Sequence, residues 1–110
     1  MNIKIERNLI INGAKRLILE CNLLPPSLES ITLEYCKHII IGKIPLLKKL
    51  NIEHCQDVTV SGCRINEVNI IATEPYSLLW NIMDNLNVDK LSAGTVSNNK
   101  SMLDPINHVE

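Results

Sequence analysis

The sequence predicts a mainly β fold, a parallel β-solenoid of about five coils with a C-terminal capping helix at about 76–86. The first observation is a pattern, apolar-x-x-apolar-x-apolar-x-x-(Asn or Cys), that recurs along the chain. The second is that its last two apolar positions alternate with the period of a half-buried strand. The third is a change to helical spacing after Pro75. Together they predict stacked strands closed at one end by a helix.

Each copy of the pattern contributes one predicted strand. The number of residues between equivalent positions is the same from Ile3 to Leu17 as from Leu17 to Ile31, and it is larger between the later copies of the motif. A constant motif with variable steps indicates fixed strands joined by loops of variable length. The complete copies are Ala14, Leu17, Leu19, Asn22; Leu28, Ile31, Leu33, Cys36; Leu47, Leu50, Ile52, Cys55; and Ile65, Val68, Ile70, Thr73, with a partial copy at Ile3, Ile5, Asn8 and a degenerate one at Met83, Leu86, Val88, Leu91.

A second short apolar run follows several copies of the motif, at residues 9–11, 39–41 and 58–60. These runs predict a second strand in each coil. Even the short steps leave room for two short strands and two tight turns around a thin core, because facing sheets pack about 10 Å apart. We therefore expect a flat, narrow solenoid with two sheets rather than a horseshoe lined with helices.

The segments 28–36 and 47–55 resemble the leucine-rich repeat family, whose consensus is Leu-x-x-Leu-x-Leu-x-x-(Asn or Cys). The resemblance covers about residues 3–73, and the segment 24–30 is also similar to linkers in secreted bacterial effectors and in FNIP-type repeats. The two short steps depart from the coils of about 20 or more residues that the family implies. The resemblance implies an inward side chain that hydrogen-bonds the loop backbone at Asn8, Asn22, Cys36 and Cys55.

The apolar pattern changes after residue 73. From Tyr76 to Leu86 the apolar residues recur at helical spacing, and Pro75 suits the start of a helix. Such a helix would pack Leu79, Trp80 and Met83 on the last coil and cover its strand edges. Ser, Asn, Gly and Lys dominate from Ser92 to Ser101. We therefore predict a solenoid over residues 1–91 and a flexible tail over 92–110.

Composition restricts the classes of partner. The chain has a formal charge of −1, 3% aromatic residues and no Phe, so a phosphate-binding field and a base-stacking platform are not expected. Since the chain has no long apolar run and no recognisable signal peptide, we expect a cytoplasmic or intracellular protein that does not bind membrane or nucleic acid. The four cysteines, Cys21, Cys36, Cys55 and Cys63, are expected as free thiols.

An outward-facing column of glutamates is the first candidate functional feature. If the motif strands stack as predicted, one column contains Glu6, Glu20, Glu34, Glu53 and Ile71, and like charges at one strand separation repel and raise one another's pKa. The column suits a docking strip for a protein with a basic surface, and it also suits a solvated strand face. Tyr35 and His54 share an offset in adjacent coils, which predicts either the centre of an interface or side chains covering its rim.

The sequence positions of the cysteines and histidines give little support to a catalytic or metal site. Cys36 with His38, or His54 with Cys55, suggests a zinc or thiol site, but adjacent residues of a strand point to opposite sides. We therefore expect no enzyme activity, no metal and no cofactor. The predicted function is protein recognition by the strand face, in a monomer or weak homo-oligomer. The alternative is a structural protein that assembles through its solenoid ends, which an uncovered last coil would favour.

Overall fold

The computed structural model describes residues 2–5 and 7–100 and confirms a mainly β, parallel solenoid of about five coils. In the described residues the one helical element is a short 3-10 turn at Cys21–Leu23, and no helix there is long and apolar enough to cross a membrane. The strands are β1 (Asn2–Ile5), β2 (Asn8–Asn12), β3 (Leu17–Glu20), β4 (Ser30–Glu34), β5 (Lys37–Gly42), β6 (Leu47–Glu53), β7 (Gln56–Ser61), β8 (Arg64–Ile71), β9 (Tyr76–Leu79), β10 (Ile82–Val88) and β11 (Gly94–Ser97).

Two sheets face each other across the core. The first sheet has the order β1-β2-β4-β6-β8-β10 and the second β3-β5-β7-β9-β11. Coils 1 to 5 are β2–β3, β4–β5, β6–β7, β8–β9 and β10–β11, and β1 pairs antiparallel with β2. We call the turn from the first sheet to the second the first edge, and the turn back the second edge. The extents of 40 × 32 × 17 Å match the flat shape predicted from two sheets.

Inward aliphatic side chains fill the space between the sheets. Leu33, Ile52 and Ile70 stand in register in the first sheet, and each is 0% exposed. Ile41 and Val60 do the same in the second sheet. Burying one such side chain contributes about 1.5–3 kcal/mol. The stacked pairs therefore hold successive coils together.

The predicted alignment of Ile3, Leu17 and Ile31 in successive coils, with two short repeats, is wrong. Ile31 pairs with Leu9, and Leu17 pairs with Ile39 in the second sheet. Ile3 lies in the antiparallel strand β1 and is 52% exposed. The step from Leu9 to Ile31 is therefore the longest along the first sheet, not one of the shortest. Because strands of both sheets share the same apolar alternation, alternation alone does not decide which sheet contains Leu17.

The predicted capping helix is also wrong, since residues 76–86 lie in β9 and β10 and in the turn between them. Tyr76 and Leu78 are buried at alternating positions of β9 and belong to the core. Trp80 occupies the turn with a φ of 58° and is 67% exposed, so it does not cover the last coil. The apolar residues on both sides of this turn happen to recur at helical intervals. The spacing therefore predicts a helix although the segment forms two strands.

The stack continues past the predicted limit at residue 91. β11 pairs in parallel with β9, and Asn99 is 2% exposed. Gly94 lies opposite Tyr76 in this pairing, and a Cβ at Gly94 would overlap the Tyr76 ring and carbonyl. The position therefore requires glycine. The rest of the predicted tail, residues 101–110, lies outside the described residues.

A column of inward residues at the first edge hydrogen-bonds the backbone of neighbouring coils. The Cys36 N–H donates to Sγ of Cys55 at 3.4 Å, and the Cys55 N–H donates to Oγ1 of Thr73 at 3.3 Å. Buried turn amides need such partners, because an unpaired one costs about 1–3 kcal/mol. The inward role that the resemblance implied is thus seen at Cys36 and Cys55, whereas Asn8 and Asn22 are exposed.

A second column performs the same task at the second edge. The Cys63 N–H donates to Oδ1 of Asn81 at 2.9 Å, and the Asn81 N–H donates to Oδ1 of Asn99 at 2.8 Å. The Asn81 side-chain amide also donates to the Val60 carbonyl at 2.9 Å. Both edges are therefore closed by side chains that satisfy buried backbone groups.

Changing Leu33 to Asp should unfold the chain, because the new carboxylate would be buried without a partner between coils. The free energy of unfolding is expected to fall by about 4 kcal/mol or more, measured by urea denaturation followed by circular dichroism. The matched control is Thr32→Asp, which places the same side chain on the outward face of β4. An equal loss in both variants would contradict the inward assignment of Leu33.

Native alkylation of the thiols should be restricted to Cys21. Cys21 is exposed, whereas the other three cysteines are buried, and burial raises the pKa of Cys55 to about 11 and that of Cys63 above its usual value. Since the thiolate is the nucleophile, iodoacetamide at about pH 8 should modify one residue in the folded protein and four after unfolding. Mass spectrometry without reductant measures this; fast native modification of Cys55 would argue against its inward position.

Candidate functional site

The first edge presents residues that the sequence singled out, and its turns share one backbone geometry. Tyr35 and His54 directly follow β4 and β6 and have φ values of 54° and 53°; the equivalent residue of coil 4, Ala72, has 47°. The Tyr35 N–H donates to the Glu53 carbonyl at 3.0 Å, and the His54 N–H donates to the Ile71 carbonyl at 2.9 Å. A left-handed backbone costs a non-glycine residue about 1–2 kcal/mol. Hydrogen bonds to the next coil therefore hold this turn in place.

The rings of Tyr35 and His54 stack across neighbouring coils. Their centroids are 5.0 Å apart and their planes differ by 7°. Tyr35 is 63% exposed and His54 is exposed, so the stack faces solvent. Their shared offset in the repeat predicted adjacent positions, and the structure confirms that placement. A stacked pair contributes about 0.5–1.5 kcal/mol, which offsets part of the cost of the left-handed turns.

Two glutamates precede the stacked rings. Glu34 and Glu53 are in register in β4 and β6, one strand separation of about 4.8 Å apart. The Asn12 amide donates to Oε1 of Glu34 at 3.4 Å, and within the described residues neither carboxylate has an ion-pair partner. Ile71 continues the row beside Glu53 and is 42% exposed. The row thus presents two negative charges followed by an apolar side chain.

The predicted column of four glutamates is wrong at Glu20. Glu20 ends β3 and pairs with Gly42, so it lies in the second sheet, away from Glu34. Its place in the row is taken by Asn12, which pairs with Glu34. The error follows directly from assigning the third strand to the wrong sheet. Glu6, the other predicted member, lies outside the described residues.

The turn of coil 4 is fixed by a carboxylate of coil 5. Asp89 accepts hydrogen bonds from the Ser92 hydroxyl at 2.7 Å and from the Ala72 N–H at 3.0 and 3.1 Å. The Ser92 hydroxyl, followed by the backbone amides of Ala72, Leu91 and Ser92, holds the pKa of Asp89 below its usual value. A shallow depression lies beside this turn, and its lining residues are His54, Cys55, Gln56, Ala72, Glu74, Pro75 and Leu91.

An asparagine ladder runs along the outward face of the first sheet, and sequence reasoning missed it. The side-chain amide of Asn51 donates to Oγ1 of Thr32 at 3.2 Å, that of Asn69 to Oδ1 of Asn51 at 2.9 Å, and that of Asn87 to Oδ1 of Asn69 at 2.8 Å. Each asparagine sits between the last two apolar positions of the motif in its strand. Three asparagines at one motif position were therefore the available sequence signal. The ladder rigidifies the face beside the acidic row.

The residues that suggested catalysis point in different directions. Cys36 and Cys55 face the core, whereas His38 and His54 are exposed, and Nδ1 of His38 lies 2.7 Å from Oδ2 of Asp57. Across residues 2–5 and 7–100, no group of three or more His, Cys, Asp or Glu side chains is placed to hold a metal ion. What the first edge offers chemically is charge, stacked rings and one apolar side chain on an open surface.

Comparisons with protein-family models, with curated proteins and with solved structures gave no match for this chain. The leucine-rich repeat resemblance accordingly stays a prediction.

The energy of the ring stack can be measured by a double-mutant cycle. Tyr35→Ala and His54→Ala should each lower the free energy of unfolding, and the double variant should show a coupling of about 0.5–1.5 kcal/mol in urea denaturation. Tyr35→Ala with Trp80→Ala is the control, since Trp80 lies on the second edge and those two changes should add. A coupling near zero between Tyr35 and His54 would show that the rings do not interact.

Proposed function

We propose that the chain is a non-enzymatic protein-recognition module that binds a partner with a basic surface through its first edge. The binding surface consists of Glu34, Tyr35, Glu53, His54 and Ile71. The observation that carries the proposal is the Tyr35–His54 stack, exposed beside two carboxylates in consecutive coils.

The chemistry of this surface matches that of known interface centres. Aromatic rings presented on a rigid support bind with little loss of side-chain entropy, and they stack well on an arginine guanidinium. The carboxylates of Glu34 and Glu53 accept hydrogen bonds from the same cation, so a basic partner gains two kinds of contact. Ile71 adds an apolar contact at the end of the row. The backbone hydrogen bonds of Tyr35 and His54 keep these groups in position before binding.

The finer fold assignment, a solenoid of leucine-rich-repeat type, belongs to the same proposal. Two features support it. The register of the parallel strands gives coils of about 20 residues, which agrees with the repeat length of that family. The cysteines at the end of the motif turn inward and hydrogen-bond the turn backbone, as the family's Asn or Cys does. The resemblance supports binding in general and names no partner.

Assembly through the solenoid ends is a second candidate function. Among the described residues, β10 and β11 are the last strands of their sheets, and the helix expected to cover them is absent there. Val88 is 39% exposed on β10. In the part of the chain that the structure describes, on the side away from β8, Lys100 pairs with β10 at Ile82 and no strand pairs with it at Val88. A strand edge with an exposed apolar side chain can pair with another chain. Val88→Lys should abolish such assembly and leave binding at the first edge unchanged.

Reversing the charge of the first edge should abolish recognition. We expect Glu34→Lys with Glu53→Lys to keep the native circular dichroism spectrum and thermal midpoint within a few degrees. The immobilised variant should lose at least about tenfold of the basic proteins that the unmodified chain retains from a cell lysate, quantified by mass spectrometry.

The matched control is Glu20→Lys with Glu67→Lys, which changes the net charge equally. Glu20 lies in the second sheet, and Glu67 lies in the middle of the first-sheet strand β8 and not at the first edge. The same proteins should be retained by this control. Retention by the Glu34 and Glu53 variant, or an equal loss in the control, would show that the first edge is not the binding surface.

A further inference from the structure

The second edge combines exposed apolar side chains with cations in two neighbouring rows. One row, the tip, directly follows the second-sheet strands and contains Lys43, Gly62, Trp80 and Asn98. The other row lies where the chain enters the first sheet, and in successive coils it contains Pro45 with Leu46, then Arg64, Ile82 and Lys100. In this second row apolar residues and cations alternate from coil to coil.

Four large apolar side chains of this edge face solvent. Trp80 is 67% exposed, Leu23 64%, Leu46 57% and Ile82 38%. The loop from β3 to β4 and the next turn also form an apolar groove, which is lined by Leu24, Pro25, Pro26, Leu28, Pro45 and Leu46. Exposed apolar surface of this extent marks a contact with a protein, a ligand or a membrane.

The charges of the second edge have one sign. The segments 21–27, 43–46, 62–64, 80–82 and 98–100 contain the exposed cations Lys43, Arg64 and Lys100 and no Asp or Glu. None of the ion pairs found within residues 2–5 and 7–100 uses these three cations. The turns of the first edge, by contrast, carry charges of both signs. The second edge therefore attracts anions more strongly than any other turn region of the fold.

The carboxylates nearest to these segments in the chain lie beside the second edge and not on it. Glu29 is paired with Lys48 at 2.9 Å. Glu20 ends β3, where it follows the buried Leu19 and so points to the outward face of the second sheet. Asp84 is partly buried in β10. The positive charge of the edge is therefore not cancelled within its own turns.

The backbone of the second edge is hydrogen-bonded within the protein. The N–H groups of Lys43, Gly62 and Trp80 donate to carbonyls of the next coil at 3.0, 3.2 and 3.2 Å. Pro25, Pro26 and Pro45 have no N–H to satisfy. Since an amide that loses water without gaining a partner costs free energy, turns that keep their own partners can leave water at little cost.

The alternation of apolar residues and cations distinguishes a membrane from a protein partner. Arg64 lies between Leu46 and Ile82, so a protein cavity that accepted both apolar side chains would have to desolvate the guanidinium between them. At a bilayer surface the apolar side chains enter the interfacial region while the cations extend to the lipid phosphates. Tryptophan favours the same region, because its ring is apolar and its N–H is polar.

We propose that the second edge binds the surface of an anionic lipid bilayer, with its four exposed apolar side chains in the interfacial region and its three cations on lipid phosphates. This goes beyond the proposed function and does not depend on it. The composition of the chain gives no such indication, because 3% aromatic residues and a charge of −1 are averages over both edges. The two edges lie on opposite sides of each coil, so the first edge faces the solution when the second is on a membrane.

The fluorescence of Trp80 tests the contact directly, because it is the one tryptophan of the chain. Vesicles of about 70% phosphatidylcholine and about 30% phosphatidylserine should shift its emission by about 10 nm to shorter wavelength, and lipids brominated near the headgroup should quench it. Vesicles of phosphatidylcholine alone should bind at least about tenfold more weakly. Raising the salt to about 500 mM should weaken binding to the anionic vesicles, since it screens the cations.

Charge reversal tests the role of the cations. Lys43→Glu with Arg64→Glu should lower partition into the anionic vesicles at least about tenfold in co-sedimentation, because each cation contributes about fivefold at such a surface. The matched control, Lys15→Glu with Lys37→Glu, changes the net charge equally at the first edge and should bind within about threefold of the unmodified chain. All four side chains are exposed, so the circular dichroism spectrum should stay native.

Removing apolar side chains tests their entry into the interfacial region. Leu46→Ser with Ile82→Ser should lower partition at least about fivefold, since binding grows with the apolar area that leaves water. The matched control is Ile18→Ser with Ile40→Ser, which removes two exposed isoleucines from the outward face of the second sheet. This control should partition like the unmodified chain.

Three results would overturn the membrane contact. The first is an emission of Trp80 that anionic vesicles leave unchanged, and the second is an equal loss of partition in a variant and its control. The third is an emission of the free chain that already lies at the short wavelength of a buried ring. Dependence of that emission on protein concentration would then assign the second edge to another copy of the chain, and independence would assign it to residues 101–110.

Discussion

In-register stacking of inward aliphatic pairs is the constraint on which the other features of this structure depend. Leu33, Ile52 and Ile70 occupy one column because a shift of one residue would turn every inward side chain of a strand outward. Once these columns are set, every outward position is also set in a column. The asparagine ladder, the acidic row and the stacked rings are thus consequences of a register that the core selects.

The turns at the two edges impose a second constraint on this narrow fold. A coil with two strands has two turns, and each turn amide that faces the core needs a hydrogen-bond partner. Cys55 and Thr73 serve the first edge, and Asn81 and Asn99 serve the second, by accepting hydrogen bonds from backbone amides of the preceding coil. The inward residue of each turn must accept these hydrogen bonds. The neighbouring residues face solvent, so their side chains can vary and can contact a partner.

The sequence-based prediction succeeded for the first-sheet strands with the clearest copies of the motif and failed for strands of the second sheet. The stretches 28–36 and 47–55 placed the first-sheet strands and the neighbouring rings of Tyr35 and His54 correctly. The second-sheet strands repeat a shorter form, as in Val58, Val60 and Cys63, and that form also describes Tyr76, Leu78 and Asn81. Recognising it would have replaced the predicted helix by two strands. The first two steps failed because the loop with Pro25 and Pro26 lengthens coil 1, which alternation cannot detect.

The row of outward glutamates also explains why one substitution can change the binding properties of a larger surface. A single glutamate on a flat surface contributes little, because water screens it. Glu34 and Glu53 act together because the core holds them one strand apart. Side chains at one position of the repeat are spaced like the strands, at about 4.8 Å, so a substitution in one coil changes a surface to which the neighbouring coils also contribute. The effect of one charge on this surface therefore depends on the register that places its neighbour beside it.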